Sequence, residues 1–372
     1  MTRLVLSEVA LGDIADVTWG DTSVTKKSYV HSGECFQAYS ASGPDGELPY
    51  YDYDRNGVVL SAIGANAGVT WLARGRWSCI KNTIRFFSRD ESIADTRFLY
   101  WATRGPGVWP LRGSAQPFIS QGDARAVRVQ LPLIAEQRAI AVMLGTVDDK
   151  IESNRRIQIL CEKLIRSYAF EFLNASAQKN GELQDYCSLV KDQVKTADLD
   201  EDDNYVGLEH MPRGSLILES WGTARGLGSN KTRFQKGDIL FGKLRPYFKK
   251  VVVAPIDGIC STDILVFRAK QSRDVGLVAA IAASDPLIDY VSSASTGTRM
   301  PRTSWHDIAK WNVPILNDGE RSRLSEKTTP LVKEMMQLTF ENQKLIRLRD
   351  VLLPELLSGR ISVNRLRESV SA

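Results

Sequence analysis

The sequence predicts an α/β (α+β) protein with two mixed domains in internal pseudo-repeat. Each is followed by a long helix, and the two helices lie antiparallel as a coiled-coil spacer. Three observations predict this. From Ala135 to Phe172, apolar residues recur at steps of three and four: Ile140, Leu144, Val147 and Ile151, then, after a slip in phase, Ile157, Cys161, Leu164, Tyr168 and Phe172. A second stripe of the same spacing runs through Leu331, Met335, Leu338, Leu345, Leu352 and Leu356. Between the stripes, the plan of residues 1–133 returns over 179–315.

The elements follow in chain order. Residues 1–133 form the first domain, where short strand-like runs such as Val58-Val59-Leu60 and Thr83-Ile84-Arg85-Phe86-Phe87 alternate with glycine-rich turns. A helix is predicted near Thr96–Thr103. Residues 134–178 form the first long helix. Its stripe is narrow, and its other faces carry Glu136, Arg138, Asp148, Asp149, Arg155, Arg156, Glu162 and Lys163. That pattern fits a seam for one partner helix. Each stripe holds one asparagine, Asn154 and Asn342, and a seam Asn can fix register at a cost in stability. Residues 179–315 form the second domain and 316–372 the second long helix and tail. Gly145-Thr146 and Thr329-Pro330 are expected to break the two helices near their bases.

The repeat is clearest late in each domain. Gly113, Pro117, Ser120 and Asp123 stand at the same offsets as Gly297, Pro301, Ser304 and Asp307. Gly57-Val58-Val59-Leu60 resembles Gly237-Asp238-Ile239-Leu240, and Cys79 falls within one residue of Cys260. One period of about half the chain marks a duplication.

Composition narrows the function class. The chain has 372 residues, 43% hydrophobic and 25% charged, with a net charge of +4. That is ordinary for a globular protein of two or three domains, so an anionic partner needs a local patch. No run of about 18 apolar residues suggests a membrane span, and the first residues lack a signal-peptide core. Five scattered cysteines without Cys-x-x-Cys spacing suggest a reducing cytosol and no structural zinc.

The densest basic cluster lies in the second domain. Arg225, Lys231, Arg233, Lys236, Lys243, Arg245, Lys249 and Lys250 are accompanied by one acid, Asp238, with Tyr247 and Phe248 interleaved. Cations on loops beside hydroxyl and amide donors suit phosphate contact and base-edge reading. A solvated hairpin edged with lysine is the plainer alternative. In the first domain Arg74, Arg76, Lys81, Arg85, Arg104 and Arg112 are dispersed. Gln116 and Ser120 in one loop, and Arg299, Arg302 and Ser304 in the other, are candidate base or phosphate readers. Both serines also fit as helix N-caps.

Gly237–Leu244 misses a phosphate-binding P-loop by its final Ser/Thr and has a buried-strand centre. Three isolated histidines, no Gly-x-Ser-x-Gly, no dinucleotide fingerprint and no Asn-Pro-Pro-aromatic loop leave catalysis without a motif.

At these residues the chain resembles a known family. Tyr205–Ser215, Lys231–Tyr247 and Asp257–Asp263 closely resemble the specificity subunit of type I restriction-modification enzymes. So do Glu136–Ile140, Asp149–Asn154, Leu348–Pro354 and Leu357–Gly359. The resemblance covers nearly the whole chain and is weaker over residues 20–110. It implies a non-catalytic DNA reader whose two target recognition domains each take one half of a split, asymmetric site in double-stranded DNA. The paired helices would act as a ruler and dock two methyltransferase subunits, and restriction subunits would join them. It implies no cofactor on this chain. S-adenosylmethionine, and ATP with Mg for restriction, would sit in the partners. DNA-binding residues are then expected at Gln116, Ser120, Lys231, Arg233, Lys243, Arg245, Arg299 and Arg302, and a cytoplasmic location follows. Two other classes compete. The recognition part of a methyltransferase-type enzyme needs a cofactor loop and an Asn/Asp-Pro-Pro motif. A helical protein-binding scaffold would show no salt-dependent duplex binding.

Overall fold

The computed structural model describes residues 7–174, 180–294 and 301–363. The chain packs as two compact units, one drawn from Met1–Asp149 with Arg347–Ala372 and the other from Lys150–Ile346. Each is mixed sheet and helix, as the sequence predicts.

In the first unit, four antiparallel strands run in the order Ala15–Trp19, Thr83–Ser88, Gly57–Ser61, Thr70–Ala73. Val58 and Leu60 enter a core with Ile84, Phe86 and Phe98, while Val59 packs with Tyr39 and Trp77. This strand is therefore covered on both faces, which is why it reads as an unbroken apolar run. A second sheet runs Gly43–Leu48, Phe36–Ser40, Arg76–Cys79, Tyr53–Asp54, with its middle pair parallel.

The second unit repeats this frame. Its antiparallel sheet runs Cys187–Leu189, Ile264–Ala269, Ile239–Gly242, Val251–Val253. Its other sheet again holds one parallel pair, Asn204–Val206 with Gly258–Cys260. The register corrects the sequence alignment by one residue. Val59 lies opposite Trp71 and Arg85, and Leu240 lies opposite Val252 and Val266. Gly57 therefore matches Asp238, not Gly237, and Cys79 matches Cys260 with no offset. A slip of one would have turned every side chain to the wrong face.

Both long helices are continuous, Ile134–Leu173 and Asp318–Leu357, so the expected breaks are absent. At the first, Thr146 donates its hydroxyl back to Val142 O at 2.8 Å, and an interior glycine costs only about 1 kcal/mol. An interior proline costs about 3 kcal/mol. At Pro330 the flanking packing offsets this: Val332 and Met335 are buried in the core, and Thr329 Oγ1 donates to Arg273 O at 3.0 Å.

The helices pack antiparallel within each unit. In the first, Ile140 and Leu144 join a core with Leu352, Leu353 and Leu356. In the second, the first helix presents Ile151, Asn154, Gln158, Cys161, Ile165, Ala169 and Phe172 as its buried stripe. The expected phase slip does not occur: Ile157 and Leu164 are exposed, and polar residues take the seam positions between Ile151 and Cys161. Asn154 Nδ2 donates to Asn342 Oδ1 at 2.9 Å, and Gln158 Nε2 donates to Met335 O and Thr339 Oγ1, both at 2.9 Å. Met335 and Leu338 are buried, whereas Val147, Leu331 and Leu345 are half-buried. Glu136 and Glu162, expected on the charged faces, are buried: Glu136 accepts from Val363 N, and Glu162 accepts from Arg166 and Ser215.

Candidate nucleic-acid interface

Where the strand Ile239–Gly242 ends, the chain meets the loop that enters the helix Trp305–Ala309. Arg245 N donates to Pro301 O at 2.9 Å and Thr303 N to Lys243 O at 3.0 Å. Lys243 N in turn donates to Asp263 O at 3.0 Å. These three bonds bring together groups from 20 to 60 residues apart in sequence. The Asp263 carboxylate lies 3.5 Å from the Arg302 guanidinium and 3.9 Å from the Lys243 ammonium. All three side chains are partly open to solvent.

Arg245 holds φ +51°, in the left-handed region. A short turn, Pro246–Phe248, follows and presents Tyr247, 49% exposed, edge-on to Phe248 at 4.9 Å. The Arg213 guanidinium lies 3.8 Å above the Phe248 ring. The result is a rim of four cations (Lys243, Arg245, Arg302 and Arg213), one carboxylate and an exposed aromatic ring, suited to phosphate contact, base-edge hydrogen bonding and stacking.

The first unit builds the same junction. Gly64 N donates to Pro117 O at 2.9 Å, Ile119 N to Ala62 O at 2.8 Å, and Ala62 N to Asn82 O at 3.0 Å. The bond pattern pairs Ala62 with Lys243, Gly64 with Arg245, Asn82 with Asp263, and Phe118 with Arg302. Gly64 also holds positive φ, +96°. The backbone is therefore shared, while the side chains change from neutral to charged.

The predicted residues divide. Lys243, Arg245 and Arg302 converge on the junction. Arg233 is exposed on the strand Lys231–Phe234, which is paired on both sides. Gln116 is exposed on the loop between Arg112 and Phe118, the counterpart of the Arg302 loop. Two expectations are corrected. Lys231 is buried, its ammonium donating to Ser229 O and Oγ, and burial holds its pKa below the ordinary lysine value. Ser120 caps the helix Gln121–Ala126: its hydroxyl donates to Asp123 Oδ2 at 2.6 Å and accepts from Asp123 N at 3.1 Å. Ser304 caps its own helix through Asp307 in the same way. Arg299 lies outside the described residues.

The cluster is also less bare than its composition suggests. Asp238, its one acid, is buried under a two-pronged contact from Arg268. Arg225 pairs with Glu201 and Asp202, and Lys249 with Asp285. Among the described residues the side chains of Arg233, Lys236 and Arg245 form no salt bridge, although Lys236 N donates to Asp257 Oδ1 at 2.7 Å. In the first unit Arg74, Arg76, Arg85, Arg104 and Arg112 are all paired with aspartates.

Sequence reasoning missed Asp263, Asn82 and Arg213. The first two are single turn residues beside strands, visible only once the two copies are placed in register. Among the described residues no group of His, Cys, Asp and Glu could hold a metal ion, and no single helix is long and apolar enough to cross a membrane.

No family model matches the chain. It is 24% identical to the Escherichia coli type I restriction enzyme EcoDI specificity subunit, over 90% of this chain and 83% of that protein. It is 19% identical to the MjaVIII specificity subunit of Methanocaldococcus jannaschii, over 84% and 81% respectively. Its fold matches the crystal structure of a type I restriction-modification S subunit from M. genitalium, with a TM-score of 0.66 and 16% identity. That match covers 96% of this chain and 99% of the other. The chain is a homologue of the specificity subunits of type I restriction enzymes.

Proposed function

We propose that this chain is the non-catalytic, sequence-specific DNA-binding subunit of a type I restriction-modification complex in the cytoplasm. Each unit reads one half of a split, asymmetric site through its loop junction. One observation carries this reading: the two junctions keep the same backbone bonds, with Pro117 and Pro301 in common, while the side chains at Ala62/Lys243, Gly64/Arg245, Asn82/Asp263 and Phe118/Arg302 differ. Two readers of one fold with different targets need that arrangement.

The long helices would set the spacing between half-sites and dock two methyltransferase subunits, with restriction subunits added to the assembly. Ile157, Leu160 and Leu164 support the docking. They are 38%, 58% and 46% exposed and recur at helical spacing on a face that the seam leaves free. S-adenosylmethionine would belong to the methyltransferase partners, and ATP and Mg to restriction. The test exchanges residues 179–315 for the equivalent domain of a relative and maps methylated adenines by genome sequencing. One half of the methylated site should change and the other persist. Alteration of both halves would sink the reading.

A further inference from the structure

Asn82 and Asp263 are matched turn residues, one at each junction. Each sits where a turn enters the strand next to the junction, Thr83–Ser88 or Ile264–Ala269, and each is tied there by its backbone carbonyl. Each side chain is half-buried at the rim. Asn82 holds φ +70° and its side-chain amide has no hydrogen-bond partner among the described residues. Asp263 has two cationic neighbours, but at 3.5 and 3.9 Å they lie beyond the 2.7–2.9 Å typical of charge-assisted hydrogen bonds. Its acceptor capacity is left largely unused.

A carboxylate facing DNA is repelled by phosphate unless cations offset it. Lys243 and Arg302 provide that offset in the second unit. In the first, where the turn residue is neutral, the matching positions are Ala62 and Phe118. The charges of the three positions change together, as a reading position and its support would. A lone ion pair on this surface would contribute only about 0–1 kcal/mol, too little to account for the arrangement.

We propose that position 82/263 is a base-reading position of the junction, Asn82 taking adenine and Asp263 the amino group of cytosine. This rests on the proposed reading of one half-site by each unit. The test uses the full chain assembled with its methyltransferase subunits and a duplex panel in which each base pair of both half-sites is replaced in turn. Asp263→Asn should move the preference at one base pair, in the second unit's half-site alone, from C·G towards A·T by about ten-fold. Asn82→Asp should shift the preference in the opposite sense in the other half-site, with weaker binding to every duplex as well, because Ala62 and Phe118 offset no charge there. The untouched half-site checks folding in each variant, and should one variant fail to assemble, the other carries the test. If both variants change affinity for every duplex by one factor, position 82/263 is only a charge partner and the proposal fails while half-site reading stands. If the wild-type assembly binds scrambled and methylated-site duplexes alike, half-site reading itself fails.

Discussion

The two units solve one structural problem with different chemistry at the helix entrance as well as at the junction. In the first unit Gln137, fully buried, accepts from Asp95 N at 2.9 Å and donates to Ile93 O at 3.0 Å and Pro132 O at 2.8 Å. In the second, Arg321 stands at the same place in its helix and holds Asp274, also fully buried, through both carboxylate oxygens. That contact raises the Arg321 pKa above its ordinary value. A neutral clamp and an ionic clamp thus fix equivalent helices to equivalent domains. The difference shows that this frame is specified by where backbone bonds close. The closing side chain is free to vary, provided its partner varies with it.

The sharpest way to break that symmetry is to remove the clamps. Arg321→Ala leaves Asp274 buried and uncompensated, and should cost about 3–5 kcal/mol. Gln137→Ala leaves neutral backbone groups unpaired and should cost about 1–3 kcal/mol. Urea titration, with probes that report each unit separately, would rank them. An equal or larger loss for the glutamine variant would contradict the ionic reading of the second clamp.

The junction should divide by role. Ala at Lys243 or Arg245 removes a cation and should weaken binding to specific and scrambled duplexes alike, lowering the salt slope by about one unit. Arg302→Ala should weaken only the specific duplex, by about 1–3 kcal/mol. The first unit carries Ala62, Gly64 and Phe118 at these positions, so its half-site should depend less on salt. Wild-type affinity and slope in all three variants would reduce the rim to an ordinary solvated surface.

Much of this was legible in the sequence. The duplicated plan, the two seams and the facing pair Asn154 and Asn342 follow from periodicity and spacing. The rest was hidden for physical reasons. The seam phase was misread because Gln158 takes a seam position through hydrogen bonds, while Ile157 and Leu164 face outward. Pro330 looked like a helix stop because proline rules weigh local propensity, and tertiary packing overrides that here. The strand register was misread because Gly57 was aligned with Gly237. Gly57 is needed for a different reason: a Cβ there would lie 2.2 Å from the Trp77 ring. Composition counted eight cations between Arg225 and Lys250 but could not show that Lys231 turns inward or that Asp238 is buried. The reading pair at 82/263 leaves no local signal and emerges only from three-dimensional correspondence.

The smallest expected effect offers the finest test of the match between junctions. Arg245 occupies a left-handed conformation that costs an L-residue about 1–2 kcal/mol, where the first unit has Gly64. Glycine removes that strain but adds about 0.5–1 kcal/mol of unfolded-state entropy. Arg245→Gly should therefore leave the chain equally stable or more stable by up to about 1.5 kcal/mol, while lowering the salt slope as Arg245→Ala does. Arg245→Ala keeps the strain without the guanidinium and should not gain. The reverse change, Gly64→Arg, forces a side chain onto φ +96° and should lose about 1–3 kcal/mol. Thermal melting of the three variants beside wild type measures the series. If Arg245→Gly melted below Arg245→Ala, the left-handed turn would be stabilised by something other than the shared backbone bonds, and the equivalence of Gly64 and Arg245 would fall. If the predicted order holds, the second unit keeps a strained arginine where glycine would be easier, and the salt slope shows what that arginine contributes.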